Sequence, residues 1–269
     1  MWYRVILTMI AALLGSSGAL AQATLGVEPP VTLHTAVPGQ TVTSNLKIGN
    51  PSPKPVRVRV SLGDWNYSQM GELQYFTTGK LSASASEWTK VSENILEIPG
   101  KEVAIVRYTF TVPRDATAGS HWGMVFLTAE AESPPPGAIN ASMNVRVAHT
   151  FYVNVPPTKS SGKIAGIFGK PSTPEGKSFQ FAVQYLNTGN IAQILEGRVE
   201  VRDTTGATVA AAPFKRQVVL PGATRILQSS LNGPLPIGEY TALVILNYGD
   251  KNRDVAGEYT FRLKTALRE

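Results

Sequence analysis

The chain has 269 residues with no cysteine, 24 Gly, 19 Pro, 43% apolar and 16% charged residues, and a formal net charge of +6. Disulfide scaffolds and cysteine-ligated zinc sites are excluded, and the apolar content is too high for charge-driven disorder. The length suits about two domains of roughly 100 to 150 residues, while the basic residues form only small groups (Lys54, Arg57, Arg59 and Lys215, Arg216) without the interleaved aromatics of a nucleic-acid surface.

The chain opens with Arg4, a ten-residue apolar run over 5–14, and Ala19-Leu20-Ala21. A positive n-region, an apolar stretch and small residues at the two positions a signal peptidase reads define a secretory signal. Residues 1–21 are expected to be cleaved after Ala21. A membrane anchor needs about 20 consecutive apolar residues, and Gly15-Ser16-Ser17-Gly18 breaks this run. The mature chain is expected to be exported without a membrane span, to the periplasm or from there to the cell surface.

Almost every periodic segment that follows repeats every second residue, the period of a half-buried strand. An early strand ends at Asn50. Over 56–60, Val56, Val58 and Val60 alternate with Arg57 and Arg59. Over 103–112, Ala104, Val106, Tyr108, Phe110 and Val112 share one face, with Arg107, Thr109 and Thr111 on the other. Over 143–153, Met143, Val145, Val147, Phe151 and Val153 share a face. Further strands are expected at 179–186, 198–203, 240–248 and 258–263, and no segment beyond the signal reads as a helix of ten residues. Pro156-Pro157-Thr158-Lys159-Ser160-Ser161-Gly162 reads as a linker that neither pairs nor packs, and 130–137 as a long Pro-rich loop.

Both halves carry one order of punctuation. Asn50 is followed by Pro99-Gly100, Pro113, Gly119 and Trp122; Asn187 is followed by Pro221-Gly222, Pro236, Gly238 and Tyr240. The Asn-to-Pro interval is 49 residues in the first half and 34 in the second, which places an insertion at 66–86. Gly238-Glu239-Tyr240 matches a tyrosine corner, where a ring hydroxyl caps backbone at a sandwich end. Repetition of this kind predicts two copies of one unit: an all-β chain of two tandem immunoglobulin-like β-sandwich domains, 22–157 and 163–269, joined by linker 158–162.

The residues offer no constellation for catalysis. His34, His121 and His149 stand in no ligand spacing, and there is no Gly-x-Ser-x-Gly elbow, phosphate loop or paired-carboxylate motif. Asp64, Asp115, Asp203 and Asp250 are expected to cap turns. No enzyme, cofactor or metal is expected, so function falls to binding.

A sandwich can bind through a strand edge, whose unpaired backbone groups capture another chain. Segment 141–155 is the candidate. Its row Met143, Val145 and Val147 either faces the core, the commoner arrangement, or projects as plugs into a partner's groove. Arg146 and His149 lie on the same strand, and Arg107 or Arg146 could fork onto a chain-terminal carboxylate.

The first half also resembles the amino-terminal domain of PapD-type periplasmic pilus-assembly chaperones. The likeness spans about residues 24 to 157 and rests on the strand ending at Asn50, Asp64-Trp65, Pro99-Gly100, Val112-Pro113-Arg114-Asp115, His121-Trp122-Gly123 and Phe151-Tyr152 before Pro156. It implies a periplasmic chaperone that binds and stabilises a pilin-like or other surface subunit by edge-strand addition. In that family an Arg of the first strand and a Lys near the end of the last hold the subunit's carboxylate. Here 25–40 contains neither Arg nor Lys, and His149 stands where the Lys lies. The second half is similar to immunoglobulin-like domains of bacterial surface proteins of the WxL-interacting type, without their carboxy-terminal membrane helix. The other reading of the whole is a non-catalytic envelope module that binds a protein or cell-wall glycan through loops, chiefly the 66–86 insertion.

Overall fold

The computed structural model describes residues 25–130, 145–172 and 178–267, and these hold seventeen strands and no α-helix. The expected signal peptide and Met143 lie outside them. In chain order the first ten strands are β1 (Gly26–Glu28), β2 (Val31–Thr35), β3 (Thr41–Gly49), β4 (Val56–Tyr67), β5 (Leu73–Phe76), β6 (Thr89–Val91), β7 (Ile95–Ile98), β8 (Val103–Thr111), β9 (Gly119–Ala129) and β10 (Val145–Val155). They form two facing sheets, β1-β3-β8-β6 and β2-β10-β9-β4-β5, with β7 against β4. The alternating rows noted above are the core of this sandwich: Val56, Val58 and Val60 meet Val106, Tyr108, Phe110, Phe151 and Val153 there.

The remaining strands are β11 (Gly162–Pro171), β12 (Ser178–Asn187), β13 (Gln193–Arg202), β14 (Thr208–Val219), β15 (Thr224–Asn232), β16 (Gly238–Asn247) and β17 (Asp254–Leu263). Their sheets, β11-β12-β15 and β14-β13-β16-β17, follow the immunoglobulin-like order. Phe179 stacks on Phe261 at 4.4 Å between ring centroids and Phe181 meets Phe261 edge-on, an aromatic centre for the second core. Strands β11 and β14 fall in segments whose periodicity gave no clear signal. Both are edge strands, and half of their residues or more face solvent or are only half buried.

The repeated punctuation has a physical cause. Asn50, at the end of β3, is buried; its amide donates to the carbonyls of Lys54, Ile98 and Pro99, and its Oδ1 accepts from the Ser52 amide. Asn187, ending β12, donates to Ile191 and Val219 and accepts from the Gly189 amide. In each sandwich one carboxamide closes its own turn and reaches the carbonyls just before the Pro-Gly step. Only a carboxamide side chain supplies two donors beside an acceptor. The tyrosine corner is present as well, Tyr240 donating its hydroxyl to the Pro236 carbonyl at 2.9 Å.

Two expectations change. Asp64 caps no turn: it is fully buried on β4, where its oxygens accept from the Leu81 amide at 3.0 Å, from Ser84 Oγ at 2.6 Å and from Ser86 Oγ. This ties the inserted segment down. Asp203 does follow the expectation, accepting from the Thr205 and Ala207 amides. The Pro-Pro segment is also fastened, because Asn190 donates to the Pro157 carbonyl and accepts from the Lys159 amide, and Gln193 donates to Ser160 and Ser161.

The two sandwiches meet over the outer face of the β10-β9-β4 sheet. Trp65, Trp122, Met124, Phe126 and Tyr152 from the first pack with Leu220 from the second, supported by Ala192 and Val218. Gly119 opens β9 at φ 126°, and a Cβ there would stand 2.4 Å from the Asn190 carbonyl oxygen. That close approach lets the Ser120 amide donate to the same oxygen at 2.7 Å.

Candidate functional site: an open strand edge beside a buried polar cluster

β10 pairs with β9 along its full length, from Val145 opposite Ala129 to Val155 opposite Gly119. On its other side it is covered only over Thr150 to Asn154, by β2 in parallel register from Val31 to Thr35. Residues 145–149 carry no strand on that side among the described residues. Backbone groups of alternate residues point to opposite sides of a strand. The Thr150 amide and the Asn154 carbonyl bond toward β2, to Pro30 and Ala36, so Arg146 and Ala148 turn their N–H and C=O groups to the open side.

β2 is the reason the edge is only half covered. The chain leaves β1, in the opposite sheet, at Glu28, and passes through Pro29-Pro30, which have no amide to donate. Pairing with β10 therefore starts late. Thr32 and His34 of β2 point inward, while Val31 and Leu33 point out and are 54% and 67% exposed.

Of the residues expected to bind, Val145 and Val147 lie half-buried against the first core, the core-facing arrangement, and do not project as plugs. His149 is fully buried in the same row. Arg146 is exposed on the outer face of the sheet, with its guanidinium 5.3 Å from the Phe126 ring centroid and its Nε donating to Thr128 Oγ1. Neither nitrogen of its fork pairs with an acid among the described residues. Arg107 is exposed on the outer face of the other sheet, beside Thr43, Lys90 and Ser92 in a shallow groove. Arg107 and Arg146 thus leave opposite faces of the sandwich and do not converge on one carboxylate.

His34 and His149, which stand in no ligand spacing along the chain, are brought together by Tyr108 of β8. Tyr108 OH lies 2.9 Å from His34 Nε2, 2.7 Å from Thr32 Oγ1 and 3.3 Å from His149 Nε2. His149 Nε2 is 3.2 Å from Thr32 Oγ1, and His149 Nδ1 is 2.7 Å from the Pro29 carbonyl oxygen. Burial lowers the pKa of both histidines, with His34 adding a repulsive contribution at His149, and burial raises that of Tyr108. A period-two pattern marks Tyr108 as a core position and His149 is expected on the binding strand, but their joining to Thr32 and His34 depends on β2 crossing to the β10 sheet. Among the described residues no group of three or more His, Cys, Asp or Glu could hold a metal ion.

The inserted segment is not an open loop. Gln69 O accepts from the Ile226 amide and Ser68 O from Arg225, so its tip braces the second sandwich. Arg225 was not singled out by the sequence; it reads as an ordinary polar position of a strand, yet it is 3% exposed. In the basic group, Arg57 and Arg59 share one partner, Glu130, at 3.1 and 2.6 Å.

Neither a family model nor a curated protein matches this chain. Among solved structures it is similar to the class 5 fimbriae chaperone CfaA, at 10% identity and TM-score 0.49, covering 87% of this chain and 98% of that one. It is also similar to the Escherichia coli chaperone DraB, at 14% identity and TM-score 0.45, covering 88% and 99%. A third is the SafB chaperone, solved in complex with the Salmonella enterica SafA pilin, at 15% identity and TM-score 0.46, covering 88% and 97%. No helix of the described residues is long and apolar enough to cross a membrane.

Proposed function

We propose that this protein is a non-catalytic periplasmic chaperone that binds and stabilises a pilin-like or other secreted surface subunit by strand addition to the open half of β10. In this reading residues 1–21 are the cleaved export signal, and 22–157 and 163–269 are its two domains. The observation that carries it is the edge at Arg146 and Ala148, unpaired among the described residues, next to an edge that β2 covers. An unpaired backbone row is a hazard that sandwiches ordinarily blunt. Here it continues a strand whose side chains are fixed in the core, so a partner strand would dock on a rigid template. The sequence resemblance of the first half to pilus-assembly chaperones supplies the class of partner.

The edge can be tested without disturbing the core. Proline removes an N–H and is tolerated on edge strands where that group faces out, which is the situation at Arg146 and Ala148. Val145 packs inward, so a charge there would test packing instead. The experiment is co-purification of pilin-type subunits of the same cell with the unsubstituted protein and with the R146P/A148P double variant, circular dichroism verifying the fold. Loss of the subunit only from the variant is expected. Equal retention by both, or no subunit on the unsubstituted protein, overturns the proposal.

A further inference from the structure

β2 is a five-residue edge strand that buries little through its outward row, so its hold on β10 rests on the inward pair Thr32 and His34 and on backbone bonds. The side-chain bonds can be followed proton by proton. A carbonyl only accepts, so His149 Nδ1 donates to Pro29 O, and in the neutral ring Nε2 is an acceptor. Three of the four contacts are then satisfied together if Thr32 donates to His149 Nε2, Tyr108 donates to Thr32 Oγ1, and His34 Nε2 donates to Tyr108 OH, while the 3.3 Å approach of Tyr108 OH to His149 Nε2 carries no proton. The chain of donors runs from β2 through β8 back to β2 and ends on β10.

We propose that this Thr32–His34–Tyr108–His149 cluster is an acid-released clasp that sets how much of the β10 edge is open. A second proton on His149 would set its Nε2–H against the Thr32 hydroxyl proton, and the donor chain would have to reverse through Tyr108 and His34. It would also place a cation at a fully buried ring. The groups facing that ring are Tyr108 from β8, which contacts Ser44 of β3, Thr32 and His34 from β2, the Pro29 carbonyl, and the Phe151 ring; its neighbour on β9 is Val125. Glu28, the last residue of β1, is exposed, and Arg107 and Arg146 lie on outer faces. Among the described residues no carboxyl group is in contact to compensate the charge, and a charge buried without a partner is expelled or relieved by opening. Opening here means lifting β2, which would extend the free edge from Arg146 and Ala148 to Thr150, Tyr152 and Asn154. What the longer edge would then bind rests on the function proposed above, but the clasp itself is a property of the free chain.

The test therefore needs no subunit. Amide hydrogen exchange of the full chain is followed at pH 7.5 and pH 5.0, corrected for intrinsic rates, over peptides containing residues 31–36 and 150–155, with residues 178–187 of the second sandwich as reference. Protection of the first two segments is expected to fall at least tenfold at pH 5.0 while the reference stays unchanged. H149F, which keeps an aromatic ring but cannot take a proton, is expected to remove that pH dependence, and H121F, altering a buried histidine outside the cluster, is expected to keep it. Protection that does not change with pH, or that changes equally in H149F, overturns the proposal. Should H149F fold poorly, the imidazole titration of the unsubstituted protein followed by NMR replaces it: titration of His149 that leaves the protection of 31–36 unaltered overturns the proposal too.

Discussion

The Arg225 guanidinium of the second sandwich lies over the Tyr67 ring of the first, 4.3 Å from its centroid. Its two terminal nitrogens donate to Ser68 O and Val218 O, each at 2.7 Å, so one cation bridges the inserted segment of one sandwich and the β14 end of the other. Burial lowers its pKa, opposed by Tyr67. A cation desolvated against an aromatic face and two carbonyls is a positioning device more than a source of stability, because desolvation offsets much of the attraction.

R225M is accordingly expected to change the thermal midpoint little while loosening the two sandwiches. NMR relaxation reads this directly: separate rotational correlation times for the two halves in R225M, and one common value in the parent. A single correlation time in the variant would show that the remaining contacts, Trp122 with Leu220 and the Ser120–Asn190 and Ile226–Gln69 bonds among them, suffice.

Asn50 and Asn187 should be the most sensitive polar positions of their sandwiches. Replacing either by Ala removes at least two hydrogen bonds to main-chain carbonyls, one of them buried, a cost of roughly 2 to 3 kcal/mol. Asp at either position is expected to be worse than Ala, since a carboxylate would face those same carbonyls. Urea midpoints of N50A, N50D, N187A and N187D measure both the size and the order.

Asp64 is expected to be needed for the inserted segment. D64A removes the acceptor for Ser84, Ser86 and the Leu81 amide, with an expected loss of roughly 3 kcal/mol, the scale for hydrogen bonds to a buried acidic group. Because the segment's tip braces Arg225 and Ile226, amide protection of Ile226 is expected to fall with it. Unchanged protection there would separate the two ends of the segment.

The stability of the first sandwich, which holds all three histidines, should decline in acid. His34, His121 and His149 all have pKa values lowered by burial from an ordinary value of 6.5. Each binds a proton more readily unfolded than folded, so stability is full above about pH 6.5 and is lost as pH falls from there toward the folded values. His121 contributes through its own environment, its Nε2 donating to the Thr117 carbonyl and its ring 4.4 Å from that of Trp88. The urea midpoint is expected to drop between pH 7.5 and pH 5, and H121F to lessen the drop.

The strands that alternate cleanly, such as β8 and β10, were legible because a residue facing a core must be apolar whatever lies opposite. The Asn and Pro-Gly repeat was legible because turn chemistry is local. By contrast β11 and β14 carry no such signature: as edge strands with many exposed positions, they are held by backbone pairing and a few contacts. Asp64 looked like one more turn aspartate, since nothing near it in sequence reveals that residues 81–86 fold back onto it.

The sequence by itself determined an all-β chain with twice-repeated punctuation and the core rows, because these follow from local periodicity and turn preferences. Only the tertiary structure decided which part of β10 stays open, since that depends on where Pro29-Pro30 lets β2 begin pairing. The same crossing brings His34 and Thr32 to Tyr108 and His149, and the docking of the second sandwich buries Arg225. These are contacts between residues far apart in the chain, set by packing geometry that no local pattern encodes.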